Sequence, residues 1–204
     1  NPQMKGAYNF VPGVLGMIMI LICAMMTSIA IVREKEMGTM EILLVSPMKP
    51  IYIVLSKIAP YFVLSCINFA TIILLSLFVL NVPVAGSFAS LIVVSLIYIF
   101  VSLALGLLIS TLTSSQLAAM MISGMALMIP VMLLSGMIFP VENMPTWLQW
   151  ISNVVPARWY ISAAKSIMIK GLGITSVLKE LSVLSVMGIT LLLISLKKFK
   201  IRLE

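Results

Sequence analysis

The sequence predicts an all-α, polytopic membrane helix bundle, on the basis of its composition, its hydropathy and one long uncharged stretch. Of 204 residues, 62% are hydrophobic and only 9% are charged, and the mean hydropathy is +1.21. Soluble domains do not have this composition. No charged side chain occurs between Lys57 and Glu142, which leaves room for three membrane crossings of about 20 residues each. Because lipid cannot satisfy backbone amides and the apolar runs are continuous, we predict helical spans and not barrel strands.

Five apolar stretches are long enough to cross a bilayer, and we predict one transmembrane helix for each. They cover about 11–32, 60–80, 88–110, 117–138 and 177–196. The short link 81–87 makes the second and third spans an antiparallel pair. Pro50 can start a separate interfacial segment, 51–57, before the second span. In the fourth span we expect a kink at Pro130, with hydroxyls or waters meeting the freed carbonyl.

The densest cluster of charge lies between the first two spans. The first helix can continue through residues 33–36 into water, with Gly38 as its C-terminal cap and Thr39 as the N-cap of a second, short helix. That short helix ends by Ser46, because Pro47 disfavours helical geometry in the residue before it. A helix of under two turns is not stable alone, so its apolar residues need a partner surface.

Residues 139–173 are too broken for a span and too apolar for an ordinary loop. They contain all three tryptophans, which favour membrane interfaces. We predict short re-entrant or interfacial helices that form an aromatic belt, with a substrate exit gate as the alternative, and Glu142 could pair with Arg158 or Lys165. The residues singled out in this outer segment are Pro140, Glu142, Asn143, Pro145, Trp147, Trp150, Pro156, Arg158, Trp159 and Gly171.

The distribution of Lys and Arg predicts the orientation of the bundle. Five crossings place eight basic residues on one side, namely Arg33, Lys35, Lys49, Lys57, Lys197, Lys198, Lys200 and Arg202. The other side holds five, namely Lys5, Arg158, Lys165, Lys170 and Lys179. Positive residues favour the cytoplasmic side. We therefore predict that the loop 33–57 and the C-terminus are cytoplasmic.

The residue types that are missing exclude most membrane enzymes. The chain has no histidine and no aspartate, so the usual zinc sites, bis-histidine haem ligation, Ser-His proteolysis and paired-aspartate proteolysis lose their residues. It has no phosphate-binding loop for ATP, and its second to fourth spans have no ionisable midplane group for ion coupling. Cys23 and Cys66 are expected to be inert thiols. The basic residues flank spans and do not indicate nucleic-acid binding.

Two motifs resemble ATP-binding-cassette exporter permeases of the type-2 superfamily. IVREKEMGTMEILLVSPMKPIYIVLSKIAPY, residues 31–61, resembles their cytoplasmic signature. SGMIFPVENMPTWLQWISNVVPARWYISAAKSIMIKG, residues 135–171, resembles the outer segment between their last two spans. The resemblance covers nearly the whole chain, except for the family's first span and extracytoplasmic domain. It implies one transmembrane domain, 1–204, that is the C-terminal part of a longer permease.

The resemblance also implies partners and a function. It implies a permease subunit in a bacterial inner membrane, which exports a drug, lipid, polysaccharide or other amphiphile together with a second permease copy or a paralogue. ATP and Mg would be bound by separate cytoplasmic ATPase subunits, and no cofactor is expected on this chain. The implied ATPase contact, on a cytoplasmic coupling helix and its flanks, comprises Arg33, Glu34, Lys35, Glu36, Gly38, Thr39, Met40, Glu41, Leu43, Leu44 and Pro47.

Other interpretations of these features stay open. Without the resemblance, residues 33–41 are better explained as a positive-inside anchor with salt pairs one turn apart. Five methionines of the fourth span either pack between helices or line a pliable surface at the dimer axis; they are Met120, Met121, Met125, Met128 and Met132. The alternative function is a non-transporting membrane scaffold or assembly subunit. An intramembrane enzyme that uses Ser, Lys or Glu chemistry comes third.

Overall fold

A computed structural model describes residues 4–38, 50–79 and 84–201 of the chain, and every regular element in these ranges is helical. The helices are α1 (Met4–Glu36), α2 (Pro50–Phe78), α3 (Phe88–Leu112), α4 (Gln116–Met121), α5 (Leu127–Leu134), α6 (Thr146–Ser152), α7 (Pro156–Met168) and α8 (Leu178–Ile201). A π-helical turn, Ile122–Ala126, joins α4 to α5. Short 3-10 turns at Val141–Asn143 and Ile174–Val177 precede α6 and α8.

The number of predicted spans is confirmed in the described part of the chain. Five helical stretches there are long and apolar enough to cross a membrane, namely Phe10–Glu36, Leu55–Phe78, Phe88–Leu112, Gln116–Leu134 and Ile174–Lys198. The fold class, an all-helical multi-pass bundle, is therefore as predicted.

Two predicted boundaries were wrong. The segment 51–57 is not separate, because α2 runs without a break from Pro50 and contains Pro60. A single proline does not break such a helix when neighbouring groups satisfy the freed carbonyl. The fourth span ends at Leu134 and not at 138, since Gly136 has a φ of +78° that turns the chain away.

The irregularity expected at Pro130 lies one turn earlier, in the π-helical turn. Pro130 has no amide hydrogen to offer the carbonyl of Ala126, and the wider π turn ends at that residue. The Ser123 hydroxyl inside the turn donates to the Ala119 carbonyl. Widened turns of this kind are a common cause of bends in helices.

Helices α1 and α3 form the centre of the bundle. Half of the α1 span and 61% of the α3 span are buried, against 22% for α2 and 17% each for the fourth span and α8. The two central helices approach closely at Gly106, where an added Cβ would lie 2.6 Å from the Ala24 carbonyl oxygen. The other spans therefore pack around this pair and keep large apolar faces uncovered.

Helix α7 is packed against this centre. The Tyr160 ring stacks on Tyr98 of α3, with ring centroids 4.1 Å apart and an angle of 6° between the ring planes. The Tyr160 hydroxyl lies 3.0 Å from Ser95 Oγ, and the Tyr98 hydroxyl donates to the Gly16 carbonyl at 2.9 Å. Because both tyrosines are fully buried, α7 belongs to the core and is not a helix lying flat on the surface.

Candidate functional site

The bundle has two ends, and we define each by residues that are far apart in the sequence but close in the structure. We call residues 31–38, 55–61 and 107–116 the charged end, because residues 34–36 contact α2, α3 and α4 there. We call residues 10–16, 84–98 and 135–184 the tryptophan end. Helix α8 starts at the tryptophan end, where Ser162 donates to Glu180 at 3.2 Å. Its 24 residues span about 36 Å, so its basic C-terminal turn lies at the charged end.

Three consecutive residues at the end of α1 contact the other helices at the charged end. Glu34 forms an ion pair with Lys57 of α2, and the two side chains are only 24% and 36% exposed. Lys35 Nζ donates to the Ser110 carbonyl of α3. Glu36 accepts hydrogen bonds from the backbone amide of Gln116, at 2.8 Å, and from its side-chain amide. This turn of α1 therefore makes side-chain contacts with three other helices.

Gly38 ends the first helix as predicted. Its φ is +70°, and its amide donates to the Lys35 carbonyl at 3.2 Å, an arrangement that glycine adopts without strain. Arg33 is exposed beside this turn. The remaining predicted contact residues, Thr39, Met40, Glu41, Leu43, Leu44 and Pro47, lie outside the described residues.

A cavity of about 1020 Å³ lies between α1 and α2 and reaches the charged end. Met25, Met26 and Tyr61 are among its apolar lining, and Glu34 and Lys57 stand at its polar end. Its size is in the range of sites for drug-sized ligands. Sequence reasoning missed it, because hydropathy cannot show where two neighbouring helices fail to touch.

The tryptophans of residues 139–173 have different environments. Trp147 and Trp150 are 64% and 73% exposed, so both indoles are free to contact lipid. Trp159 is half-buried, and its Nε1 donates to the Asn153 carbonyl at 3.0 Å. The Arg158 guanidinium lies 5.6 Å from the centroid of the Trp159 ring. Two of the three tryptophans thus suit the predicted belt, and the third stabilises the segment itself.

Proline and glycine residues set the turns of this segment. Pro140 and Pro145 come directly before the Val141–Asn143 turn and α6, and Pro156 opens α7; proline favours such positions because a helix's first amides have no partner within it. Asn143 closes the first turn through its amide, which donates to the Pro140 carbonyl at 3.1 Å. Gly171 has a φ of +68° and ends the segment against Ala85.

A cavity of about 320 Å³ at the tryptophan end contains Glu142, Arg158 and Lys165 in its lining. Arg158 Nη1 donates to the Gln149 carbonyl at 3.0 Å, and Lys165 Nζ donates to the Gly136 carbonyl at 2.8 Å. Partial burial lowers the pKa of both basic groups below their ordinary values. The pairing suggested for Glu142 is not found, since no ion pair of this residue occurs among the described residues.

The methionine-rich face of the fourth span is uncovered. Met120, Met121, Met125 and Met128 are 42–65% exposed, so they do not pack between the described helices of one chain, and the alternative of a pliable surface at a dimer axis stays a prediction. Met132 is half-buried. The surface is continuous with other exposed apolar residues of the same span, and it requires lipid or another protein as its neighbour.

Comparisons with known proteins identify the family. The family model described as "ABC-2 family transporter protein" matches residues 1–197. The chain is 34% identical over 171 residues to the probable multidrug ABC transporter permease YbhS of Escherichia coli, which covers 84% of this chain and 45% of the relative. It is 34% identical over 170 residues to YbhR, another probable multidrug ABC transporter permease of E. coli, with 83% and 46% covered.

More distant relatives agree with this assignment. The inner membrane transport permease YhhJ of E. coli is 29% identical over 205 residues, which is 98% of this chain and 54% of the relative. The chain thus spans about half the length of these curated relatives. No solved structure gives a significant match. On the family match and the identity to YbhS and YbhR, the chain belongs to the ABC-2 family of transporter membrane proteins.

Proposed function

We propose that this chain is the transmembrane subunit of an ATP-driven exporter, coupled at its charged end to separate cytoplasmic ATPase subunits that bind ATP and Mg. Its membership of the ABC-2 family supports this, as do the names of its relatives YbhS and YbhR, each described as a probable multidrug ABC transporter permease. The chain contains no phosphate-binding loop of its own. In this proposal, the energy for transport comes from the ATPase subunits.

The proposal rests on the ion pair and hydrogen bonds that residues 34–36 make with α2, α3 and α4. The loop that would meet the ATPase leaves α1 immediately after Gly38. Any force on that loop reaches the turn at residues 34–36 first, and the contacts with Lys57, Ser110 and Gln116 pass it on. Packed elements move as rigid bodies when they are tied in this way. A charged segment that only set the orientation of the protein in the membrane would not require these contacts.

The proposed cargo is an amphiphile such as a drug or a lipid. The cavity between α1 and α2 offers an apolar wall together with charged groups at one end, which is the combination that an amphiphile requires. The excess of Lys and Arg in the loop 33–57 and the C-terminal tail favours a cytoplasmic position for the charged end in a bacterial inner membrane. The amphiphile would then enter from the cytoplasm or the inner leaflet.

The uncovered methionine face supports a second permease copy, or a paralogue, as a further partner. Flexible thioether side chains adapt to varied neighbours. The half-buried Met25 of α1 lies beside this face, with its Sδ 3.9 Å from the position of a Cβ on Gly124. The two copies would therefore meet along the fourth span, with α1 next to it, and leave α2 and α8 for lipid.

The test is to search the neighbouring genes for an ABC ATPase subunit, purify the permease together with it and reconstitute both in liposomes. We expect a stable complex whose ATP turnover rises when a transported amphiphile is added. A catalytically dead ATPase should abolish export and leave the complex intact. Export driven by an ion gradient alone contradicts the proposal, and a complex that never moves any solute favours the scaffold alternative.

A further inference from the structure

We propose that the cavity lined by Glu142, Arg158 and Lys165 binds the phosphodiester group of a membrane phospholipid. The cavity lies at the tryptophan end, between the turn after α5, the Val141–Asn143 turn, α6 and α7. It is separate from the cavity between α1 and α2 and from the contacts of the charged end. The proposal concerns lipid binding and does not depend on transport.

The two cations are held in place and keep donors free. Among the described residues, each makes one hydrogen bond, in both cases to a backbone carbonyl, of Gln149 or Gly136. The Arg158 guanidinium also lies 5.6 Å from the centroid of the Trp159 ring, a contact that uses no N–H donor of the kind an anion needs. A guanidinium has five N–H donors and an ammonium has three, so several remain. No carboxylate forms an ion pair with Arg158 or Lys165 within the described ranges. Partly buried cations without an anionic partner are unfavourable, and a bound anion would relieve that cost.

A buried hydroxyl in the same wall also has no partner. Ser135 lines the cavity and is 3% exposed, and its Oγ has no hydrogen-bond partner among the described residues. Buried polar groups in native proteins are nearly always hydrogen-bonded. The cavity volume of about 320 Å³ is far above the roughly 10–15 Å³ that one water needs, which leaves room for an oxyanion in the cavity that Ser135 helps to line.

The charge balance favours a singly charged phosphodiester. Arg158 and Lys165 contribute two positive charges and Glu142 one negative charge, which leaves a net charge of +1 in the lining. The exposed carboxylate of Glu142 would repel a dianion more strongly than a monoanion. The neighbouring Phe139, Trp147 and Trp150 are more than half exposed and suit the boundary between headgroups and acyl chains. A phospholipid meets both requirements at once.

The test measures lipid binding to the purified full-length permease by native mass spectrometry. Phosphatidylglycerol is titrated, diacylglycerol of the same acyl chains serves as the lipid without phosphate, and inorganic phosphate is added as a competitor. We expect Arg158→Gln and Lys165→Gln each to weaken phosphatidylglycerol binding about tenfold, which corresponds to 1.4 kcal/mol. The matched control is Lys170→Gln, an exposed basic residue on the same segment, and it should change binding less than twofold.

A third variant keeps the test decisive if the two cation variants prove unstable. Glu142 is exposed, so Glu142→Gln should fold normally and should raise the affinity for phosphatidic acid, which carries more negative charge, by more than the affinity for phosphatidylglycerol. Equal binding of diacylglycerol and phosphatidylglycerol overturns the proposal. Full displacement of phosphatidylglycerol by millimolar inorganic phosphate also overturns it, because the cavity would then be a site for a free ion. An unchanged preference between phosphatidic acid and phosphatidylglycerol in Glu142→Gln overturns it as well.

Discussion

Charged side chains have different kinds of partner at the two ends of the bundle. At the charged end, Glu34 and Glu36 are paired with a cation and an amide from other helices, so the charges act as ties between spans. At the tryptophan end, the hydrogen bonds of Arg158 and Lys165 within the described ranges go to backbone carbonyls, and neither cation forms an ion pair there. The difference agrees with our proposals that the first end transmits a displacement and that the second binds a ligand from outside the chain.

The largest expected effect is the all-or-none accessibility of the two ends. In a Cys23→Ser, Cys66→Ser background, Asn143→Cys and Asn153→Cys should react with an impermeant thiol reagent added outside intact cells. Met37 is 64% exposed at the charged end, so Met37→Cys should react only after the membrane is opened. Both asparagines are exposed. The measurement is gel-shift labelling with a maleimide polymer.

The choice of positions matters for this experiment. Ser152 has a suitable place in the sequence but is fully buried, with its hydroxyl donating to the Leu134 carbonyl, so a cysteine there would stay unlabelled on either side. If Asn143→Cys and Asn153→Cys react only from the inside, the bundle is inverted and the predicted orientation is wrong.

The next largest effect separates the core of the tryptophan end from its surface. Tyr160→Ala removes a fully buried ring that stacks on Tyr98, and losses of buried aromatic rings cost about 3–5 kcal/mol. Trp150→Ala removes a 73% exposed indole and should change the free energy of unfolding by less than about 0.5 kcal/mol. Thermal unfolding in one detergent measures both. Equal losses of stability would show that the segment is held by its tryptophans and not by α7.

A smaller effect is expected at the charged end. Glu34→Lys places two like charges together in a partly exposed pair and should cost about 1 kcal/mol or less. The exchange Glu34→Lys with Lys57→Glu restores opposite charges and should recover most of that loss. Export should follow the same order as thermal stability. If the double variant is no better than either single variant, the ion pair does not tie α1 to α2.

Much of the fold followed from hydropathy. The five spans were predictable because each contains an apolar run that has no alternative to crossing the bilayer. The end of the first helix at Gly38 was also predictable, since glycine alone adopts φ of +70° without strain. The end of the fourth span was not, because the apolar residues Met137 and Ile138 follow closely and only the turn at Gly136 separates them from the helix.

The candidate sites were less predictable than the spans. The sequence pointed to Arg158, Lys165 and Glu142 as a group, but it suggested an ion pair, whereas the fold directs the two cations to carbonyls of Gln149 and Gly136. The burial of α7 was hidden for a similar reason. Tyr160 lies in a segment that looks interfacial, and only its contact with Tyr98, 62 residues earlier, shows that it belongs to the core.

We propose that the charged end couples ATP hydrolysis to export through the loop after Gly38. Leu44→Asp puts a charge into the apolar face expected to contact the ATPase, and Glu41→Lys reverses a charge at its rim. Both positions lie outside the described residues. The control is Lys200→Glu, a charge reversal at the basic tail.

The deciding measurement is the amount of ATPase that co-purifies with each variant, alongside expression level, thermal stability and export. We predict that Leu44→Asp weakens association about tenfold or more, that Glu41→Lys weakens it less, and that Lys200→Glu leaves it unchanged, with expression and stability the same in all three. Normal association and normal export in both loop variants would show that this stretch is only an anchor and would contradict the account.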